Sequence, residues 1–292
     1  MSTVRSRLRK IIRAIFYISP AKKLLETVPV IRNVYAPAQR THPIDRMYGI
    51  DTSGVVPVEN IHPDQSLHSQ IIAYVGSQPS IVRRALSALG DIRDYMFVDL
   101  GCGKGRATTV SSEFPFRAVI GVELSAALVA TARANAASIA RQFPDRPKVT
   151  IAEANVVDFP LPAAKLVFFN YHAFGAELIE KIVARCEAAL ASGQLPHMFF
   201  IYYNPVHSEA FDASPALERF YVEQIPYDKS EVGFGPDSSD IVAIWQSVRG
   251  SVPTPHKGTD RKIIRIHSMG AGLGHCWGSA TLYHPPDVFG KC

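Results

Sequence analysis

Apolar runs of five to seven residues alternate with stretches of helical periodicity through the middle of the chain. The runs predict five strands, which begin at Met96, Ala118, Lys148, Leu166 and His197. Before and between them, apolar residues recur at three- and four-residue spacing, which predicts helices within 79–89, 107–111, 125–141 and 176–191. Strands that alternate with helices in this way are typical of a parallel sheet in an α/β domain.

Two further apolar runs, 219–225 and 240–246, are joined by a link rich in Gly, Pro and Ser. With no helix between them, they predict an antiparallel hairpin. The predicted fold is therefore α/β: a single Rossmann-like domain at 71–250, with a mostly parallel seven-stranded sheet and an antiparallel terminal hairpin. We expect residues 251–292, rich in Pro, Gly and His, to form a peripheral tail with at most one short strand at 262–266.

The first 70 residues predict a basic N-terminal helix followed by an irregular approach segment. Residues 3–27 place apolar side chains at helical spacing between arginines. This helix either attaches to an anionic membrane surface or an acidic partner, or docks on the domain and leaves its charges in water. Within 28–70, the stretch Asp45–Gly54 is dense in turn formers and is either a lid over a ligand or a surface loop.

Charge and cysteine usage narrow the class of protein. Residues 1–23 hold seven of the 31 basic residues and no acid, which leaves 24 basic against 26 acidic residues elsewhere. A body this close to neutral argues against a broad nucleic-acid surface. The four cysteines form no C-x-x-C pair, the histidines and acids form no metal-binding pattern with them, and no apolar run is long enough to span a membrane. Cysteines of this kind are typical of free thiols in a reducing compartment, so we predict a cytoplasmic protein. Since no metal-binding pattern is present in the sequence, we also predict that it binds no metal.

The first strand ends in an acid and then in glycines at every second position: Asp99, Gly101, Gly103 and Gly105. A dinucleotide fingerprint needs G-x-G-x-x-G, whereas Arg106 stands here at the place of the third glycine. A carboxylate beside the turn is a poor neighbour for phosphates and a good one for a cation. S-adenosyl-L-methionine (SAM) carries an ammonium, a sulfonium and a ribose, and it has no phosphate.

A second acid, Glu123, ends the next strand 18 residues after Gly105 and is placed to accept hydrogen bonds from both ribose hydroxyls. We therefore predict that the glycine turn, including Cys102, binds SAM. The loop before helix 79–89 adds Tyr74 and Ser77 as candidate contacts, although Ser77 or Gln78 could instead only cap that helix.

The ends of the third and fourth strands supply the remaining candidates. Asn155 can meet the adenine amino group through its amide oxygen, with Glu153 and Asp158 as competitors. Asn170 and Tyr171 lie at the carboxyl end of the fourth strand, where open α/β sheets bind ligands. There Asn170 could contact the cofactor and orient a nucleophile, or it could satisfy only the local backbone.

Further aromatic residues surround these strand ends. Phe174 and Tyr171 could wall a channel around the acceptor. The Tyr-Tyr-Asn-Pro sequence at 202–205 is a second candidate for the substrate side, but it is more typical of a strand terminator.

These motifs resemble class I (Rossmann-like) SAM-dependent methyltransferases over about residues 70–250, on FVDLGCGKGR, GVEL and YVGSQPSIVRRAL. The closer resemblance is to the non-SET histone lysine methyltransferases and their bacterial relatives. It rests on the Tyr74/Ser77 loop, the glycine turn and the Asn-x-x-Ala-Phe-Gly turn at 170–175. This chain departs from the histone enzymes at Tyr171-His172, where they carry Asn and Phe, and at Asn155, which replaces the more usual acid.

The resemblance implies methyl transfer from SAM to a nitrogen nucleophile, with a protein lysine or a small molecule as the acceptor. Two alternatives stay open at this point. One is a methyltransferase for a small molecule, a lipid or RNA, which would share the cofactor half of the site. The other is a SAM-binding regulatory protein without turnover.

Overall fold

The architecture is taken from a computed structural model, which describes residues 40–234 and 238–252. The predicted helix at 3–27 and the predicted strand at 262–266 lie outside the described residues. The strands are β1 (Val55–Val56), β2 (Tyr74–Val75), β3 (Tyr95–Leu100), β4 (Ala118–Glu123), β5 (Val149–Glu153), β6 (Lys165–Tyr171), β7 (Met198–Tyr203), β8 (Leu217–Pro226) and β9 (Ser239–Ser247). The α-helices are α1 (Pro43–Tyr48), α2 (Val58–Ile61), α3 (Pro79–Ser87), α4 (Arg106–Ser111), α5 (Ala126–Gln142), α6 (Ala176–Ala191) and α7 (Glu209–Asp212), with a 3₁₀ turn at Gln65–Leu67.

Seven of these strands form one sheet in the order β5-β4-β3-β6-β7-β9-β8. Strands β3 to β7 run parallel, and β9 and β8 close the sheet as an antiparallel pair. The predicted α/β fold class, with its terminal hairpin, is therefore confirmed. Sheet growth reverses direction between β3 and β6, and open α/β sheets bind ligands at the carboxyl ends of their strands beside such a reversal.

Helices cover both faces of the sheet, and each face has its own apolar core. On one face, Phe97 and Phe169 pack with α3 and α4. On the other face, Phe168 and Phe200 pack with α6 and with Trp245 of β9. Because both faces are covered, the central strands are apolar at nearly every position.

The stretch Asp45–Gly54, predicted as turns, begins inside helix α1. The helix starts where the His42 side chain accepts a hydrogen bond from the Ile44 N–H and Pro43 occupies the first turn. It ends at Gly49, whose φ of 60° lies in the left-handed region. Asp45 is buried and accepts hydrogen bonds from residues 52 and 53, so this stretch is a packed element as well as a turn.

Neither Ser77 nor Gln78 caps helix α3 with its side chain. The capping carboxylate is that of Glu231, in the link before β9, which accepts hydrogen bonds from the Ser80 N–H at 3.0 and 3.3 Å. Burial raises the pKa of Glu231, and the hydrogen bonds from Ser80 partly offset that rise. Gln78 is the N-cap residue, which is one of the two predicted alternatives, but the side chain that bonds to the first turn belongs to Glu231, 151 positions from Ser80 in the chain.

Candidate active site

The glycine turn after β3 is left-handed at three positions, with φ of 73° at Gly101, 54° at Gly103 and 82° at Gly105. Added side chains would also collide with neighbours there. A Cβ on Gly101 would lie 2.8 Å from the Cβ of Ala173, and one on Gly103 would lie 2.2 Å from the ring of Tyr74. The glycines therefore allow two other segments to close tightly over the turn.

A cleft of about 910 Å³, including its open mouth, lies over this turn at the carboxyl ends of β3, β4 and β6. Nine of the eleven sequence-predicted site residues line it: Tyr74, Ser77, Asp99, Gly101, Cys102, Gly103, Glu123, Asn155 and Tyr171. Gly105 and Asn170 do not line it.

Asp99 is 3% exposed and lines the cleft, and its carboxylate has no hydrogen bond or ion pair within the part of the chain that the structure describes. Burial, and next the nearby carboxylate of Glu123, raise the pKa of Asp99 well above its ordinary value. An ionised Asp99 therefore needs a cation from a ligand to offset its loss of hydration. An ammonium group meets that need.

Glu123 is held in place by backbone N–H groups. Its Oε2 accepts from the Gly103 N–H and its Oε1 from the Ser125 N–H, both at 2.9 Å. Burial raises the pKa of Glu123, and these N–H groups partly offset the rise. Each carboxylate oxygen keeps a second lone pair, so a pair of ribose hydroxyls could still bind.

Tyr74 and Ser77 form a further wall of the cleft. The Tyr74 ring packs on Gly103, and its hydroxyl donates to the backbone oxygen of Thr52 at 2.7 Å. Burial raises the pKa of this phenol, so it stays protonated. The Ser77 side chain is buried at the same wall.

Asn155 lines the cleft, but its amide oxygen already accepts a hydrogen bond from the Val157 N–H at 3.2 Å. The oxygen keeps a second lone pair and the NH₂ group has no partner among the described residues, so the predicted contact of the oxygen with the adenine amino group stays a prediction. The competitors Glu153 and Asp158 are exposed and do not line the cleft.

Asn170 is completely buried, and its amide oxygen accepts from the Ala173 N–H at 3.1 Å. This is the local backbone contact that the sequence left open as an alternative. Asn170 does not line the cleft, and its buried amide nitrogen has no hydrogen-bond partner among the described residues, so its contact with the cofactor and its orientation of a nucleophile stay predictions.

On the opposite face of β6, the next residue Tyr171 lines the cleft and stacks on Tyr203, with ring centroids 4.0 Å apart. Phe174 also lines the cleft. The two side chains predicted to wall a channel, Tyr171 and Phe174, therefore face the same space. Asn204 has a φ of 54° and its N–H donates to Ile241 O at 2.8 Å, so the predicted strand terminator follows β7.

Two parts of the cleft were not predicted from sequence. The strap at 61–73 lines it and joins the turn after β6, where the Ile72 N–H donates to Ala173 O at 2.9 Å and the Gly175 N–H donates to Gln70 O at 3.0 Å. Arg106 also lines the cleft, through bonds to segments 30 and 54 residues away. In the sequence, Arg106 was noticeable only because it stands at the place of the third glycine of a dinucleotide fingerprint. That departure does not reveal which residues its side chain contacts.

Other features of the described residues bear on the chemistry. Within 40–234 and 238–252, no group of three or more His, Cys, Asp or Glu side chains could hold a metal ion. In the same ranges, no helix is both long and apolar enough to cross a membrane. Cys102 and Cys186 are buried free thiols.

Residues 97–193 match a protein family described as "Methyltransferase domain". Curated protein sequences give no match. Similar solved structures include precorrin-6y C5,15-methyltransferase from Geobacter metallireducens (16% identity, 57% of this chain and 85% of that one, TM-score 0.40). They also include TrmN from Thermus thermophilus (15% identity, 58% of this chain and 49% of that one, TM-score 0.42). A third is a ribosomal protein L11 methylase from Lactobacillus delbrueckii subsp. bulgaricus (13% identity, 56% of this chain and 73% of that one, TM-score 0.36). These scores support no inference about the acceptor.

Proposed function

We propose that this chain, whose residues 97–193 match a methyltransferase domain, is a class I SAM-dependent methyltransferase that transfers the methyl group to an amine nitrogen, with a protein lysine as the first acceptor to test. The observation that carries the proposal is the aromatic wall of the cleft at Tyr171, backed by Tyr203. The nearer likeness to the histone lysine enzymes is part of this proposal.

The residues of the cleft fit SAM. Asp99 offers a buried carboxylate without a partner among the described residues, which suits the donor's ammonium, and Glu123 keeps lone pairs for the ribose. Gly101 and Gly103 leave room where a Cβ would collide with the cleft walls. When bound, SAM supplies a methyl group on a sulfonium, and transfer is an in-line displacement for which the protein mainly supplies alignment.

The walls of the cleft favour an amine over a phosphate-bearing acceptor. Among residues 40–234 and 238–252, Arg106 is the cation that lines the cleft, and each of its three guanidinium nitrogens already donates to a protein oxygen. Nucleic-acid recognition depends on basic side chains that neutralise phosphates. In contrast, the Tyr171 ring and the nearby Phe174 offer π-faces, which attract alkylammonium groups.

The rings attract the ammonium form, whereas desolvation in the cleft acts in the opposite direction and favours the neutral amine that the transfer needs. A lysine ammonium has a reference pKa of about 10.4 and must lose its proton before its lone pair can accept a methyl group. Apolar surroundings disfavour the charged form and lower the pKa of an amine. Tyr171 is therefore the residue of this chain that we assign to receive and orient the acceptor.

The test is a transfer assay with methyl-tritiated SAM and a cell lysate as the source of acceptors. We expect label that is released by protease and that is found in methyl-lysine after acid hydrolysis. Label that is removed by ribonuclease or by lipid extraction would contradict the amine proposal. Gly101→Arg provides the control for background, since its side chain would fill the donor site.

A further inference from the structure

Arg106 is a buried cation at the start of α4. Its side chain is 4% exposed, and it forms no ion pair within 40–234 and 238–252. Burying a charge is costly unless hydrogen bonds replace its hydration shell. The hydrogen bonds of this guanidinium therefore show which segments of the chain the side chain holds together.

The planar guanidinium joins two segments that precede it in the chain. Its Nε donates to the Thr52 hydroxyl and its Nη2 to Thr52 O, both at 2.7 Å. Its Nη1 donates to Gly76 O at 3.0 Å and to Ser77 O at 3.3 Å. A Cβ on Gly76 would lie 2.3 Å from the guanidinium carbon, so glycine is needed for this approach.

Thr52 extends the contact on both sides. Its hydroxyl donates to the buried carboxylate of Asp45, and its N–H donates to the same carboxylate at 3.0 Å. Its backbone oxygen accepts from the Tyr74 hydroxyl as well as from Arg106. One side chain thus fixes the wall formed by Tyr74, Gly76 and Ser77.

Glu123 ends β4 and Asn155 follows β5, so a donor whose ribose bound Glu123 would have its adenosine there and its amino-acid end toward the wall of Tyr74, Gly76 and Ser77. Helix α3 begins just after Ser77 and packs on α4, β8 and β9, on the other side of β3. Asp99, which suits the donor's ammonium, lies on β3 between the two sides.

We propose that Arg106 is a positioning residue for the amino-acid end of SAM: its forked hydrogen bonds hold Tyr74, Gly76 and Ser77 against that end. A lysine at this position keeps the charge, but its single nitrogen cannot reach Thr52 and Gly76 with the same geometry. The fork, and not the charge alone, is therefore the feature under test.

The experiment compares two ligands by calorimetry. S-adenosylhomocysteine has the amino-acid end, and 5′-methylthioadenosine lacks it. For Arg106→Lys and Arg106→Ala, we expect S-adenosylhomocysteine to bind about ten- to a hundredfold more weakly, in keeping with the loss of one or two charge-assisted hydrogen bonds. The affinity for 5′-methylthioadenosine should change about threefold or less. An equal loss for both ligands, or wild-type affinity in Arg106→Lys, would overturn the proposal.

A second pair of variants keeps the test decisive if the Arg106 variants fail to fold. Thr52→Ser keeps the hydroxyl that Arg106 contacts, and Thr52→Val removes it at nearly the same volume. We expect Thr52→Ser to bind both ligands like the wild type, and Thr52→Val to lose affinity selectively for S-adenosylhomocysteine. Thermal melting without ligand shows whether each variant is folded, and a folded Thr52→Val with an unselective effect would refute the assignment.

Discussion

Substitution of Gly103 by alanine tests how the glycine turn accommodates the donor. With φ at 54°, an alanine costs about 1–2 kcal/mol for a left-handed conformation. Its Cβ would also lie 2.2 Å from the Tyr74 ring, so the ring must move. Tyr74 would then lose its hydrogen bond to Thr52 O, worth about 1 kcal/mol, and the core would be overpacked at a cost of about 1–2 kcal/mol.

These costs sum to about 3–5 kcal/mol, to be measured as the loss of unfolding free energy in urea. Gly193→Ala is the matched control. Gly193 has a φ of 75° and no atom within 4 Å of an added Cβ, so only the conformational cost of about 1–2 kcal/mol applies. S-adenosylhomocysteine should bind about tenfold more weakly to Gly103→Ala, a loss of about 1.4 kcal/mol, since a displaced Tyr74 ring no longer forms its wall of the cleft, and it should bind normally to the control. Equal destabilisation of the two variants, or normal binding by Gly103→Ala, would refute the reasoning.

Three further predictions follow from the cleft and from the N-terminal sequence. Asp99→Asn should abolish SAM binding in calorimetry yet raise the melting temperature of the ligand-free protein at pH 7. The pKa of Asp99 is higher in the folded than in the unfolded protein, so the wild type loses folding stability as the pH rises from the unfolded-state pKa to the folded-state pKa. Asn does not ionise and avoids this loss. A lower melting temperature of Asp99→Asn would contradict this reasoning. Tyr171→Ala should raise the KM for the amine acceptor and leave the KM for SAM nearly unchanged, whereas Tyr171→Phe keeps the ring and should behave like the wild type; an equal rise in both variants would exclude a role for the π-face. If residues 3–27 attach to anionic membranes, the full chain should sediment with vesicles containing phosphatidylserine and a chain that begins at residue 40 should not; binding by neither would favour a docked helix.

The order of the elements was predictable because it depends on local periodicity. The predicted strand at 96–100 is Tyr95–Leu100, and the predicted helix at 176–191 has the same bounds in the structure. The glycine turn was also readable, since its chemistry lies within eight residues, from 99 to 106. In contrast, the bonds from Arg106 to Thr52 and Gly76 join residues that only the folded chain brings together.

The direction of side chains on β6 shows why the acceptor side was harder to predict. Successive residues of a strand point to opposite faces, so Phe169 and Tyr171 face the cleft while Asn170 lies on the face that packs with α6. Helices cover both faces of this strand, and its apolar residues therefore give no alternation that would reveal the cleft side. The sequence pointed to Asn170 because it is polar, whereas in the structure it is Tyr171 that lines the cleft. An Asn at the end of a buried parallel strand is thus a candidate for the acceptor site only once its face of the sheet is known.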